Sequence, residues 1–253
     1  MVAGVAVGAD VCPRHARQFG ALVCLFVVRR EVETAPVAEG GIGVDWGVSV
    51  TATATDAEFD LPYLGYRKRC AAELAKAQRR MARRHCGGRG PQSRGYQRAA
   101  REVAKLHKKA ARQTQHDSRV WAKHVVAEHG LIAVEDFWPK FLAKSTMARK
   151  AADAAIGAAK RELIERGVRA GRRVVLVQPA YTSMTCSDCL ARAKRLELRE
   201  RTFRCSACGY VAGRDRNAAR VILVVAERGH NSVEDVRQVD HLPRVVVRLW
   251  SEL

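Results

Sequence analysis

The chain has 253 residues, enough to bury a substantial core, and its 47% hydrophobic and 28% charged residues suit a soluble protein with one main domain and a small appendage. Forty-five Lys and Arg against 26 Asp and Glu leave a formal charge of +19, which points to a polyanionic partner, nucleic acid first. No stretch reaches the ~18 apolar residues of a membrane span; the best candidate, residues 21–28, is stopped by Arg29 and Arg30 and has no cleavage site behind it, so a cytoplasmic chain without leader or membrane partner is expected.

Residues 1–39 carry one strand-like run, Leu22 to Arg29, ahead of a Pro and Gly passage at 36–41. Gly41-Ile-Gly-Val-Asp45-Trp-Gly47-Val then reads as a buried strand. The alternation Val48, Val50, Ala52, Ala54 between Ser and Thr reads as a half-exposed one. Between positions 67 and 123, 18 Lys and Arg meet only Glu73, Glu102 and Asp117, a surplus of fifteen out of the chain's nineteen, so the charge is concentrated here. Leu74, Ala77 and Met81 recur at helical spacing, as do Val103, Leu106 and Ala110 beyond the break Gly87-Gly88-Arg89-Gly90-Pro91. Two basic helices joined by a glycine-rich turn are predicted.

On these helices Arg79, Arg80, Arg83, Arg84, Arg98, Arg101, Lys105, Lys108, Lys109 and Arg112 are the candidate nucleic-acid-binding residues. His85, His107, His116, His124 and His129 form a solvated or phosphate-facing set, and Trp121 falls on the apolar side with Leu106, Ala110 and Val125. Leu131 to Val134 is a short strand ending at Glu135. Ser145 is the predicted cap of a helix running to about Arg169, Arg173 to Val177 is the next strand, and Asn217 to Glu227 is a mostly buried helix with Asp215 at its start. Strands alternating with helices indicate an α/β core.

Eight cysteines without an export signal, four of them tightly paired, indicate metal binding in a reducing compartment and not a disulfide scaffold. Cys186-x2-Cys189, fifteen residues, then Cys205-x2-Cys208 allows two tight turns to present four thiolates to one zinc ion. With all four positions filled by protein, the zinc is structural. Cys12, Cys24, Cys70 and Cys86 are scattered and read as free thiols.

Asp45 places an acid inside an apolar strand, which is costly unless the charge is paired or bound to metal. Singly, Asp45 could be a turn former, Glu135 a solvated strand end and Asp215 a helix cap. Jointly, two strands and a helix of one sheet-based core can bring three acids together to hold magnesium or manganese. A pair of such ions about 3.5–4 Å apart suits phosphodiester cleavage.

The motifs Gly43-Val-Asp45-Trp-Gly47-Val, Ile132-Ala-Val-Glu135-Asp136-Phe137, Tyr181-Thr-Ser-Met-Thr-Cys186, Phe203-Arg-Cys205-Ser-Ala-Cys208-Gly209 and Arg214-Asp215-Arg-Asn217-Ala-Ala219, with the basic segment ending near Trp121, stand in one order over about residues 22–226. In this the chain resembles the TnpB proteins of bacterial insertion sequences, relatives of the type V CRISPR effector nucleases. The resemblance implies a RuvC-type nuclease with an RNase H-like core, in which Asp45, Glu135 and Asp215 match the metal-binding catalytic acids. It implies DNA as substrate, a guide RNA as partner, and a zinc ribbon inserted before the last acid.

The implied organisation is a remnant of an N-terminal wedge region at 1–39 and a first part of the core at 40–181, with the basic helical insertion at about 66–129. The ribbon follows at 182–210, the last part of the core at 211–230 and an unassigned tail at 231–253. Only 44 residues precede Asp45, fewer than the family usually carries there, and Leu190 stands where a glycine commonly follows the first cysteine pair. Two rival readings stay open. One is a shortened transposase-associated protein that binds nucleic acid through its basic helices and ribbon without selective cleavage; the other is a zinc-ribbon RNA-binding protein.

Overall fold

The computed structural model describes residues 14–18, 21–25, 36–88, 90–137, 147–194, 196–197, 199–228 and 236–238. Residues 1–34 form a unit of their own, in which β1 (Arg14–Gln18) and β2 (Ala21–Leu25) pair antiparallel, Arg14 opposite Leu25 and Gln18 opposite Ala21. A single strand from Leu22 to Arg29 was the expectation. The strand is Ala21–Leu25, residues 26–29 lie outside the described ones, and β1 has no apolar alternation to announce it.

The second unit is built on a six-stranded sheet in the order β10-β7-β6-β3-β4-β5. Its centre is three parallel strands, β3 (Gly41–Trp46), β6 (Leu131–Glu135) and β7 (Arg173–Val177), with Val44 beside Val134 and Glu135 beside Val177. Runs such as Ile132-Ala-Val and Val174-Val-Leu-Val are continuous because parallel strands are covered on both faces. Beside β3 run β4 (Val50–Ala54) and β5 (Leu61–Pro62), antiparallel to their neighbours, while β10 (Val236–Gln238) pairs antiparallel with β7.

Side chains alternate between the two faces. Ile42, Val44, Ile132, Val134, Val174 and Leu176 pack with Trp121, Val125 and Leu163 in the larger core. Ala133, Val175 and Val177 face the opposite way, against Ile222 and Ala226 of α6 (Arg214–Arg228). β4 corrects the expected half-exposed strand, since Thr51, Ala52, Thr53 and Ala54 are all buried. Its alternation of Thr with Ala is that of small residues covered on both sides, and the Thr51 hydroxyl finds the carbonyl of Ala154 at 3.3 Å.

Between β5 and β6 run α1 (Tyr66–Arg69), α2 (Ala71–Arg83) and α3 (Arg94–Glu128). Ser93 caps α3 by accepting the Tyr96 N–H at 3.2 Å. The 35 residues of α3 span about 50 Å. Its last third buries Ser118, Trp121, Ala122, Val125 and Val126, whereas its first two thirds bury only Ala99 and Ala110. Trp121 donates to the Phe59 carbonyl at 2.8 Å and meets Trp46 edge-on, which agrees with a core role. His124 is exposed and His129 half-buried, and their rings lie 4.7 and 4.6 Å from that of Phe59.

The helix expected to run unbroken to Arg169 is two helices, α4 (Ala148–Ala154) and α5 (Ile156–Arg169), with Ala155 between them at φ 54°. Its predicted cap, Ser145, lies outside the described residues. Long-range bonds tie down the end of the first helix. Buried Asp153 accepts the backbone N–H groups of Arg67 and Lys68 at 2.8 and 3.0 Å and the Tyr63 hydroxyl at 2.9 Å. This carboxylate caps α1 from another helix and satisfies itself in doing so. Tyr66 makes a hydroxyl bond to Asp117, so the basic hairpin is fastened at its root twice. Among the described residues no helix is long and apolar enough to cross a membrane.

Candidate functional site

The alternation that sends Ile132 and Val134 into the larger core turns Ala133 and Glu135 toward α6. On β3 it does the same for Gly43 and Asp45. A side chain at Gly43 would put its Cβ 2.0 Å from the Ala219 carbonyl oxygen, so α6 packs directly on the strand there. Asp215, in the first turn of α6, is thereby brought to the end of the sheet where Asp45 and Glu135 sit.

Asp45 and Glu135 lie close enough for each to affect the other's charge, and Asp45 also feels the charge of Asp215. Burial pushes the Asp45 carboxyl well above its ordinary 3.8, and the charges of Glu135 and then Asp215 push it further. Burial raises Glu135 to about 7, against the pull of the Trp46 backbone N–H and the Lys160 ammonium. Lys160 also bonds the Asp136 carboxylate at 2.7 Å and the Phe137 carbonyl at 3.3 Å. Asp215 is more open and lies 4.0 Å from the Arg201 guanidinium. Such a trio of acids is repulsive without a cation, and its hard oxygens suit magnesium or manganese.

Four cysteines form a tighter cluster. The ligand atoms of Cys186, Cys189, Cys205 and Cys208 all lie within 4.8 Å of one another, and among the described residues this is the only such set of three or more. The acids converge less closely than that. Cys186 and Cys208 sulfurs are 3.7 Å apart, and those of Cys189 and Cys205 3.5 Å. Tetrahedral ligation with metal–sulfur bonds of ~2.3 Å calls for sulfurs roughly 3.8 Å apart, so the set fits a zinc-sized ion. Backbone N–H groups of Cys208 and Ala207 draw the Cys205 thiol down to about 6, toward the thiolate a metal needs.

Both turns follow one plan. Leu190 and Gly209 donate their N–H groups to Cys186 and Cys205 at 3.0 and 3.1 Å, while Cys186 and Cys205 donate to Ala191 and Tyr210 at 2.9 and 2.8 Å. The residue after each pair takes a left-handed backbone, Gly209 at φ 77° and Leu190 at φ 62°. β8 (Thr202–Arg204) and β9 (Val211–Gly213) pair antiparallel around the second turn, and Phe203 is buried with Cys186 and Cys205.

Two side chains that sequence reasoning passed over fasten α6. Fully buried Asn217 accepts the Ser187 N–H at 2.9 Å and donates to the Thr185 carbonyl at 2.7 Å, joining the helix to the first cysteine turn. Arg216 grips the Asp60 carboxylate with 2.9 and 2.7 Å bonds and also meets the Ala54 carbonyl. Asn217 belongs to a motif already singled out. Nothing local marks Asp60 as its neighbour's partner. Of the ten basic candidates, Arg79, Arg83, Arg84, Arg98, Arg101, Lys105, Lys108, Lys109 and Arg112 are exposed, and Arg80 is held by Glu102 at 2.6 Å.

The sequence signature of the IS605 OrfB family, described as a probable transposase, matches residues 26–145, and that of a Cas12f1-like TNB domain matches residues 158–222. The Escherichia coli (strain K12) protein described as "Putative RNA-guided DNA endonuclease InsQ" is 29% identical over 198 residues, which are 72% of this chain and 48% of that protein. The chain resembles the TnpB family. A second relative, from Streptomyces pristinaespiralis and also described as a "Putative RNA-guided DNA endonuclease", is 29% identical over 212 residues, 83% of this chain and 50% of its own length. The chain spans about half the length of these curated relatives. Its mixed α/β fold is similar to that of Cas12f1 in a complex with single guide RNA and target DNA, with a TM-score of 0.54 at 17% identity over 79% of this chain and 41% of that one.

Proposed function

We propose that the chain is a metal-dependent DNA endonuclease of the RuvC type on an RNase H-like core, with Asp45, Glu135 and Asp215 as its catalytic acids. The observation that carries this reading is the convergence of the three acids at one end of the sheet, where Asp45 feels the other two. Residues 40–181 and 211–230 are the core, about 66–129 its basic insertion, and 182–210 a zinc ribbon whose metal is structural.

Bound to the acids, magnesium or manganese would lower the pKa of a water and offset the charge that develops on the phosphate. The chain's own part is to hold the acids. Asp45, Glu135 and Asp215 would hold the ion, and Lys160 offsets part of the negative charge of Glu135. The reaction is in-line attack of water on phosphorus with departure of the 3′ oxygen and no covalent enzyme intermediate. The exposed cations of α2 and α3 hold the phosphates of DNA or of a guide RNA, such as the descriptions of the relatives name.

Purified chain is expected to cleave DNA only with magnesium or manganese, and Asp45→Ala to abolish cleavage; equal activity in both proteins would remove the nuclease assignment. Sequencing of co-purified RNA tests the guide. One discrete species supports it, whereas random fragments favour a nucleic-acid-binding protein without selective cleavage.

A further inference from the structure

We propose that Tyr181 is a stacking platform for an unpaired nucleobase of the strand held at the acid site. This rests on the nuclease reading for the identity of the strand, but the observations behind it are separate. Tyr181 adopts φ 66° and ψ 2°, a left-handed backbone that strains any residue with a Cβ. Its carbonyl accepts N–H groups from Met184 and Thr185 at 2.9 and 3.0 Å and the Thr185 hydroxyl at 3.0 Å. Glycine would serve that turn with less strain. The ring is 52% exposed, and one of its faces packs on the Arg192 guanidinium. A strained residue with a large exposed aromatic side chain points to a use outside the fold.

Its surroundings say which use. The next residue, buried Thr182, lies near enough to Glu135 to affect its charge and donates its hydroxyl to the Pro179 carbonyl at 3.2 Å, just past β7. Ser183 meets the Arg214 guanidinium at 3.4 Å, and the Thr185 carbonyl takes the Asn217 bond, so the Tyr181 loop is tied to the helix that carries Asp215. An aromatic face paired with a guanidinium is the combination by which single strands are held without regard to sequence. The base stacks on the Tyr181 face away from Arg192, and Arg192 turns its N–H edge to the adjoining phosphate. A base within a duplex has no free face to offer, so the site takes an unpaired strand.

The test uses the full, zinc-loaded chain without magnesium and a single-stranded DNA oligonucleotide carrying 2-aminopurine at successive positions. Wild type and Tyr181→Phe are expected to quench one position strongly. Tyr181→Ala should lose that quenching and bind the oligonucleotide roughly tenfold more weakly, with duplex affinity and zinc content unchanged. A 5-iodouracil oligonucleotide, irradiated with the wild-type chain, should crosslink to Tyr181, which settles the matter even if the alanine variant misfolds. Equal quenching in all three proteins, or a crosslink map that omits Tyr181, would overturn the proposal. The two readings fail separately: stacking at Tyr181 without magnesium-dependent cleavage would sink the nuclease, and cleavage without stacking would sink the platform.

Discussion

At the scale of single residues the chemistry is set by where acids are buried. Glu135, 7% exposed, releases its proton at about 7 instead of its ordinary 4.5, and Asp45 beside it is also shifted upward. Below pH 4.5 the folded and unfolded states both hold the Glu135 proton. Between 4.5 and about 7 only the folded state still holds it, so the metal-free protein loses stability as pH rises through that window, by on the order of 3 kcal/mol for such a shift. Zinc-loaded, magnesium-free protein should therefore melt progressively lower from pH 4.5 to 7. Glu135→Gln should flatten that slope, and added magnesium should recover the lost stability at pH 7.5. A wild-type melting curve with the same pH slope as the variant would refute the shift. Asp45 was legible from sequence because a carboxylate between Val44 and Trp46 breaks an apolar run, and Glu135 because it ends one. The grip of Arg216 on Asp60 was not, since 156 positions separate the partners and only the folded sheet brings them together.

At the scale of elements, β3, β6 and β7 could be read from their apolar runs, and α2 and α3 from helical spacing on either side of a glycine-rich break. The interruption at Ala155 could not, because neither Gly nor Pro marks it and the residue in the left-handed turn is an alanine. The contact of β3 with α6 depends on the missing side chain of Gly43. Gly43→Ala forces its Cβ against the Ala219 carbonyl oxygen, so α6 must shift. Overpacking of this kind costs about 1–3 kcal/mol. We expect a lower melting temperature together with loss of cleavage, read by calorimetry and a magnesium-dependent assay; full activity in the variant would mean that Asp215 does not depend on this contact. The first cysteine turn is the opposite case. Leu190 strains a backbone position that its counterpart Gly209 occupies freely, and its side chain is 40% exposed. Leu190→Gly should stabilise the turn by about 1 kcal/mol and slow zinc loss to a chelator. Faster loss would show that the leucine side chain contributes more than its backbone costs.

Across the whole molecule, the basic hairpin and the acid cluster are anchored in different places. The basic hairpin is fastened at its root through Asp153 with Tyr63 and the α1 backbone, and through Asp117 with Tyr66, none of which touches the cysteine cluster. Asp215 is fastened in part through that cluster. Asn217 reaches into the first cysteine turn at Ser187, and the Arg214 N–H, at the start of α6, is held by the Arg201 carbonyl at 2.8 Å. Where a metal supplies folding energy to so short a segment, its loss removes those attachments together. Cys205→Ser should therefore lower zinc content and cleavage in parallel. The affinity of the hairpin for nucleic acid should persist, with an unchanged linear fall of log affinity with log salt, because the neutralised phosphates are the same. Both quantities can be measured on one preparation, by metal analysis with a cleavage assay and by a salt titration of binding. Zinc loss with full cleavage would show that Asp215 is held by Arg216 and Asp60 alone, while a salt slope reduced along with cleavage would show that the hairpin and the cysteine cluster are not independent.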